Sequence, residues 1–150
     1  MMDGTSALKS GSLLALRVGT GLLLVLWGGL RLVAPEAGPG LAAKYYSGLF
    51  SVQSLQMAYG AAEVLIGLLV VFGLFRRIAY PLQALILVPG ALILWRYLLD
   101  PMGMWLMSRE DSQILFFPSI TVAAATVVLI AFRSEDRWSL DTRLARRGTA

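Results

Sequence analysis

Four long apolar stretches constrain this chain more than any other feature. They run from about Leu13 to Ala34, Leu55 to Phe75, Ile78 to Leu99 and Ile114 to Phe132. A helix that crosses a bilayer needs roughly 20 mostly apolar residues, and each stretch meets that length. Each is also too uniformly apolar for a soluble helix with one buried stripe. The 150 residues are 57% hydrophobic and 15% charged, against about 25% charged in a typical soluble domain. Strict alternation of apolar and polar residues is absent, which argues against a membrane β-barrel. The expected fold is all-α: an integral membrane four-helix bundle over residues 13–132. A segment over 1–12 precedes it and a basic tail over 133–150 follows.

The breaks between spans are well marked. Pro35 and Pro39-Gly40 end the first, Arg76-Arg77 separates the second and third, and Asp100-Pro101 ends the third. Pro81, Pro89 and Pro118 fall within spans and are expected to kink rather than break them. Charge gives an orientation. With the N-terminus cytoplasmic, nine basic residues (Lys9, Arg17, Arg76, Arg77, Arg133, Arg137, Arg143, Arg146, Arg147) lie on that side and four (Arg31, Lys44, Arg96, Arg109) on the other. That excess predicts both termini in the cytoplasm. The net charge of +4 is then a matter of topology and tail, and no nucleic-acid binding is expected. The first stretch is longer than a signal-peptide core and lacks a small-x-small cleavage pattern, so a retained span is expected.

The chain has no Cys and no His. Thiol catalysis, disulfides, thiolate metal sites and the usual His ligands of a haem are thereby removed. No phosphate-binding glycine loop or nucleophile elbow is present. The glycines inside spans read as places where helices approach closely.

One carboxylate, Glu63, sits inside the second span. An ionisable residue there is costly unless it faces the bundle interior. Helical spacing supports that placing: Gln56, Tyr59, Gly60, Glu63 and Gly67 share one face, and Ala61, Val64, Leu65, Leu68 and Phe72 the other. By helix rise Glu63 lies about 12 Å below the outer surface, Arg31 about 5 Å and Trp27 about 10 Å. Trp95 and Arg96 lie about 5 Å deep on the third span, and Ser119 roughly 8 Å on the fourth. The candidate polar pocket in the outer half is therefore Trp27, Arg31, Gln56, Tyr59, Glu63, Trp95, Arg96 and Ser119, with Arg31 or Arg96 long enough to reach Glu63. The inner half of the bundle is expected to hold almost no polar groups. Plainer readings exist: interfacial aromatics for Trp27 and Trp95, snorkelling arginines, and a structural interhelical bond for Glu63.

Two stretches carry a family resemblance. One is Leu16-Arg17-Val18-Gly19 followed by Trp27-Gly28-Gly29-Leu30-Arg31-Leu32 and Pro35. The other is Glu63 with Gly67, then Gly73-Leu74-Phe75-Arg76-Arg77-Ile78-Ala79. Together they resemble the DoxX-like family of small four-span bacterial membrane proteins, over roughly half the chain, and Glu63, Arg31 and Arg76 match features of that family. The resemblance implies a bacterial inner-membrane location and association with membrane redox systems. Relatives include a subunit of a thiosulfate–quinone oxidoreductase and parts of oxidative-stress complexes, and many members have no assigned activity. Three function classes follow. The first is a quinone-interacting or accessory subunit, not an enzyme on its own, with a redox protein or other membrane subunit as partner. The second is a structural or assembly protein. The third is a small transporter, which four spans would support only as a homo-oligomer. The tail, with Trp138, Leu140 and Leu144 among arginines, belongs to no motif and is expected to touch lipid headgroups.

Overall fold

A computed structural model describes residues 4–34, 36–45 and 52–147. Every regular element among them is helical. They are α1 (Gly4–Val33), α2 (Ala37–Tyr45), α3 (Gln53–Phe72), α4 (Arg76–Ile93), α5 (Trp95–Leu99), α6 (Pro118–Ala131) and α7 (Leu140–Arg147). Short 3-10 turns cover Ile114–Phe116 and Arg133–Glu135. Three segments are long and apolar enough to cross a membrane: Gly4–Val33, Gln53–Phe72 and Ile114–Ala131. The third expected span, Ile78 to Leu99, falls on α4, which opens on Arg76-Arg77 and carries Gln83, and is not among these three. It also ends earlier than expected, at a turn on Leu94, and resumes as the short α5.

α1 starts nine residues before the expected first span (Gly4 against Leu13) and runs unbroken to Val33. Its helix includes most of the expected N-terminal segment; residues 1–3 and Pro35 lie outside the described ones. α2, absent from the sequence reading, tolerates Pro39 because that residue sits in its first turn. Pro81 and Pro89 lie inside a continuous α4, as expected. Pro118 does something else: it starts α6 at the first helical position, where its missing N–H costs no bond.

α1 and α3 form one closely packed pair and α4 and α6 a second. The first pair is held backbone to backbone. Gly21 meets Gly67, and Gly28 meets Gly60, so tightly that a Cβ at any of the four would collide with main-chain atoms of the other helix. The residue numbers fall on one helix as they rise on the other, so the helices run antiparallel. Both contacts repeat after seven residues, close to two helical turns, which keeps the small side of each helix facing its partner. α3 ends on Gly73 at φ +66°, with Gly73 N–H bonded to Val70 O and Leu74 N–H to Leu69 O. This double bond is the Schellman pattern, and it needs the left-handed conformation that glycine adopts cheaply.

A small buried core of Leu13, Val70, Ala79, Tyr80 and Leu129 lies at the end of the bundle where the tail returns, here called the tail end. At the opposite end Tyr45, Tyr97 and Phe116 pack edge to face, with ring centres 4.9–5.8 Å apart, and tie α2, α5 and the turn before α6 together. Much of the outer surface is apolar: Leu26, Leu65, Leu85 and Val127 are all exposed. Apolar exposure on all four of these helices suits a lipid surround.

Candidate functional site

The α1–α3 crossing positions the first cluster. Gly28 and Gly60 bring the two backbones together, and the side chains one turn away, Arg31 and Glu63, meet beside that contact. Arg31 Nη1 donates to Glu63 Oε2 at 2.6 Å and Arg31 Nε donates to Gln56 Oε1 at 2.9 Å. The guanidinium lies 5.0 Å from the ring centre of Tyr59 and 6.0 Å from that of Trp27. Glu63 and Gln56 are buried, whereas the Arg31 side chain keeps 18% of its surface. Among the described contacts its Nη2 makes no hydrogen bond. A buried carboxylate is tolerable when a charged, hydrogen-bonded partner faces it. The face of α3 read from helical spacing is the one buried, with Gln56, Gly60, Glu63, Gly67 and Val70 inside.

Five of the eight candidate residues thus come together: Trp27, Arg31, Gln56, Tyr59 and Glu63. The other three do not join them. Arg96 is exposed and lies over its neighbour Trp95, 5.6 Å from the ring centre. Trp95 is exposed as well. The Ser119 hydroxyl is buried without a hydrogen-bond partner among the described residues. The turn at Leu94 explains the first two, because it ends the straight helix on which the depth estimate rests.

A second cluster, at the tail end, has no counterpart in the sequence reading. The half of the bundle expected to hold almost no polar groups buries Ser10, Arg17, Thr20, Gln83, Thr126, Asp136 and Ser139. Arg17 Nη1 donates to Asp136 Oδ2 at 3.1 Å, with the two side chains 3% and 1% exposed. The Tyr80 hydroxyl donates to the same oxygen at 2.6 Å. Arg76 donates from Nη1 to the carbonyls of Arg133 and Asp136, both at 2.8 Å, and from Nη2 to Thr142 Oγ1 at 3.0 Å. Asp141 accepts the backbone N–H groups of Phe75 and Arg76 at 3.0 and 2.9 Å, and so caps α4 with a side chain from the tail. The tail is therefore a docked part of the bundle. The one sequence signal for it is the presence of three acids, Glu135, Asp136 and Asp141, in an otherwise basic segment.

A third polar feature shapes the loop after α5. Asp100 is buried and accepts the N–H groups of Met104, Trp105, Leu106 and Met107 at 2.7–3.2 Å. Burial alone would raise its pKa, but the four N–H donors outweigh it and hold the carboxyl at about 2.

No grouping of His, Cys, Asp and Glu among the described residues is arranged to hold a metal. No protein-family model, curated protein or solved structure matches the chain. What the fold defines is a class: an all-helical chain with three helices fit to cross a membrane.

Proposed function

We propose that this chain is a multi-pass protein of the bacterial inner membrane, a four-helix bundle with both termini cytoplasmic. In this reading it serves as a quinone-interacting accessory subunit of a membrane redox complex. The observation that carries the reading is Arg31: a guanidinium held by Glu63 and Gln56 beside two aromatic rings, with no hydrogen bond at Nη2 among the described residues and part of its surface open. Such a group donates a charge-assisted hydrogen bond to a carbonyl oxygen, and flat aromatic walls suit a ring ligand. Trp27, 40% exposed, would form the outer wall. Glu63 would exchange a proton as the ring oxygen gains charge. The chain lacks the His and Cys that usually ligate haem or iron–sulfur groups, so electrons would come from the partner. The DoxX-like resemblance at Arg31, Glu63 and Arg76 supports the same class.

The test uses the complex purified from its own membranes in mild detergent. Co-purifying proteins and quinones are identified by mass spectrometry, and turnover is compared with Glu63→Gln. Loss of quinone-dependent turnover with the complex intact is the expected result; unchanged turnover removes the proton role. One observation favours a structural reading instead. The ion pair sits directly beside the Gly28–Gly60 contact, as a bolt between helices would. In that case Glu63→Gln leaves function intact while enlarging Gly60 does not.

A further inference from the structure

The tail end carries an open groove of about 290 Å³, lined by Leu14, Phe72, Trp138, Leu140 and two arginines, Arg17 and Arg143. We infer that this groove seats an anionic phospholipid, with the phosphodiester at the arginines and an acyl chain along Leu14 and Phe72.

The charge ledger points to an anion. Arg17 and Arg76 are matched by Asp136 and Asp141 in the buried network, two cations against two carboxylates. Arg143 stands outside that balance: it is exposed and pairs with no described carboxylate. Arg17 adds an independent sign. It is buried, it lines the groove, and its Nε has no hydrogen-bond partner among the described residues. A buried N–H left unmade is costly, and a small shift of the Arg17 side chain toward the groove it lines would offer this N–H to a phosphate oxygen.

The walls point to an amphiphile rather than a soluble anion. Leu14 and Phe72 belong to helices fit to cross a membrane, and Phe72 is exposed. Trp138 lies against α1 at Gly11, with ring carbons 3.5 and 3.8 Å from where a Cβ would stand. A half-exposed Trp at the end of membrane-crossing helices is the usual anchor at headgroup level. Basic residues there attract anionic lipid.

The experiment takes the full chain, purified in mild detergent and stripped of lipid. Dioleoylphosphatidylglycerol or dioleoylphosphatidylcholine is added, and retained lipid is counted by native mass spectrometry beside the melting temperature. The expected result is retention of phosphatidylglycerol with a raised melting temperature, and neither effect with phosphatidylcholine. Arg143→Glu should cut retention about fivefold or more. Arg77→Glu, an equal charge change on an exposed residue outside the groove, should leave it unchanged. If Arg143→Glu lowers helicity by circular dichroism, Arg143→Gln takes its place. Equal losses from both positions would mean diffuse surface attraction and overturn the site. So would equal retention of the two lipids, or the same stabilisation by glycerol 3-phosphate alone.

Discussion

Arg31 and Glu63 illustrate what a single pair can stabilise between helices. Breaking a buried pair by removing one partner is far more costly than removing both, because an unmatched charge stays behind. Glu63→Gln keeps a hydrogen-bond acceptor beside Arg31 but removes the countercharge. Its expected cost is about 1–3 kcal/mol, and the double variant with Arg31→Gln should recover a large part of it. A double-mutant cycle on thermal unfolding in detergent checks this; simple additivity would show that the two do not interact. Asp100 makes a pH-dependent prediction. Its folded pKa of about 2 lies below the unfolded value of about 3.9. Its contribution is therefore fully present above pH ~4 and lost as pH falls through ~2. Protection of the amides of residues 104–107, taken relative to their intrinsic exchange rates, should hold above pH ~4 and fall as pH drops through ~2. Asp100→Asn should lower it at neutral pH.

At the scale of elements, the α1–α3 pair depends on four glycines whose neighbours are backbone atoms of the facing helix. A side chain there cannot be relieved by a rotamer change, so the helices must separate. Gly60→Val or Gly28→Val should cost at least the ~1–3 kcal/mol of an overpacked core. Gly19→Ala and Gly29→Ala face open space and should change the melting temperature little. Equal effects at all four positions would refute the crossing. This level of structure was largely readable in advance. The 3.6-residue period sorts Gln56, Gly60, Glu63 and Gly67 onto one face, while helix rise brings both Arg31 and Arg96 within reach of Glu63 and does not choose between them. What periodicity does not show is the turn at Leu94, since Pro89-Gly90 one turn earlier stays inside a continuous α4 and Leu94 itself is no turn residue. Trp95 and Arg96 consequently sit elsewhere than a straight helix implies.

For the whole molecule, the tail network decides whether the bundle closes. Asp136 serves Arg17, Tyr80 and Arg76 together. Asp136→Asn leaves Arg17 without its countercharge, while Arg76 keeps Asp141, and should destabilise by about 3–5 kcal/mol, the cost of breaking a buried pair. Because the network is buried, the wild-type melting temperature should respond weakly to salt between 50 and 500 mM, unlike a surface pair such as Lys9–Glu135. Melting curves of both proteins across that range test the claim, and a strong salt dependence would show the network to be wet. Apart from three acids in the tail, little of this was legible beforehand. Composition marks residues 133–150 as a basic tail at the headgroups, and no local pattern pairs Arg17 with an acid 119 positions away.

That separation has a consequence for how the protein is made. Arg17 is synthesised with α1, a helix fit to cross a membrane, yet its counterion is not translated until 119 residues later. Until then Arg17 and Arg76 are cations without their native carboxylates at the rim of an unfinished bundle. Surface-seeking arginines of this kind hold a helix end at the headgroups, so the helices should insert in register before the acids arrive to draw the end shut. A chain stopped after Ala131 should still insert, and should remain open and protease-sensitive at that end.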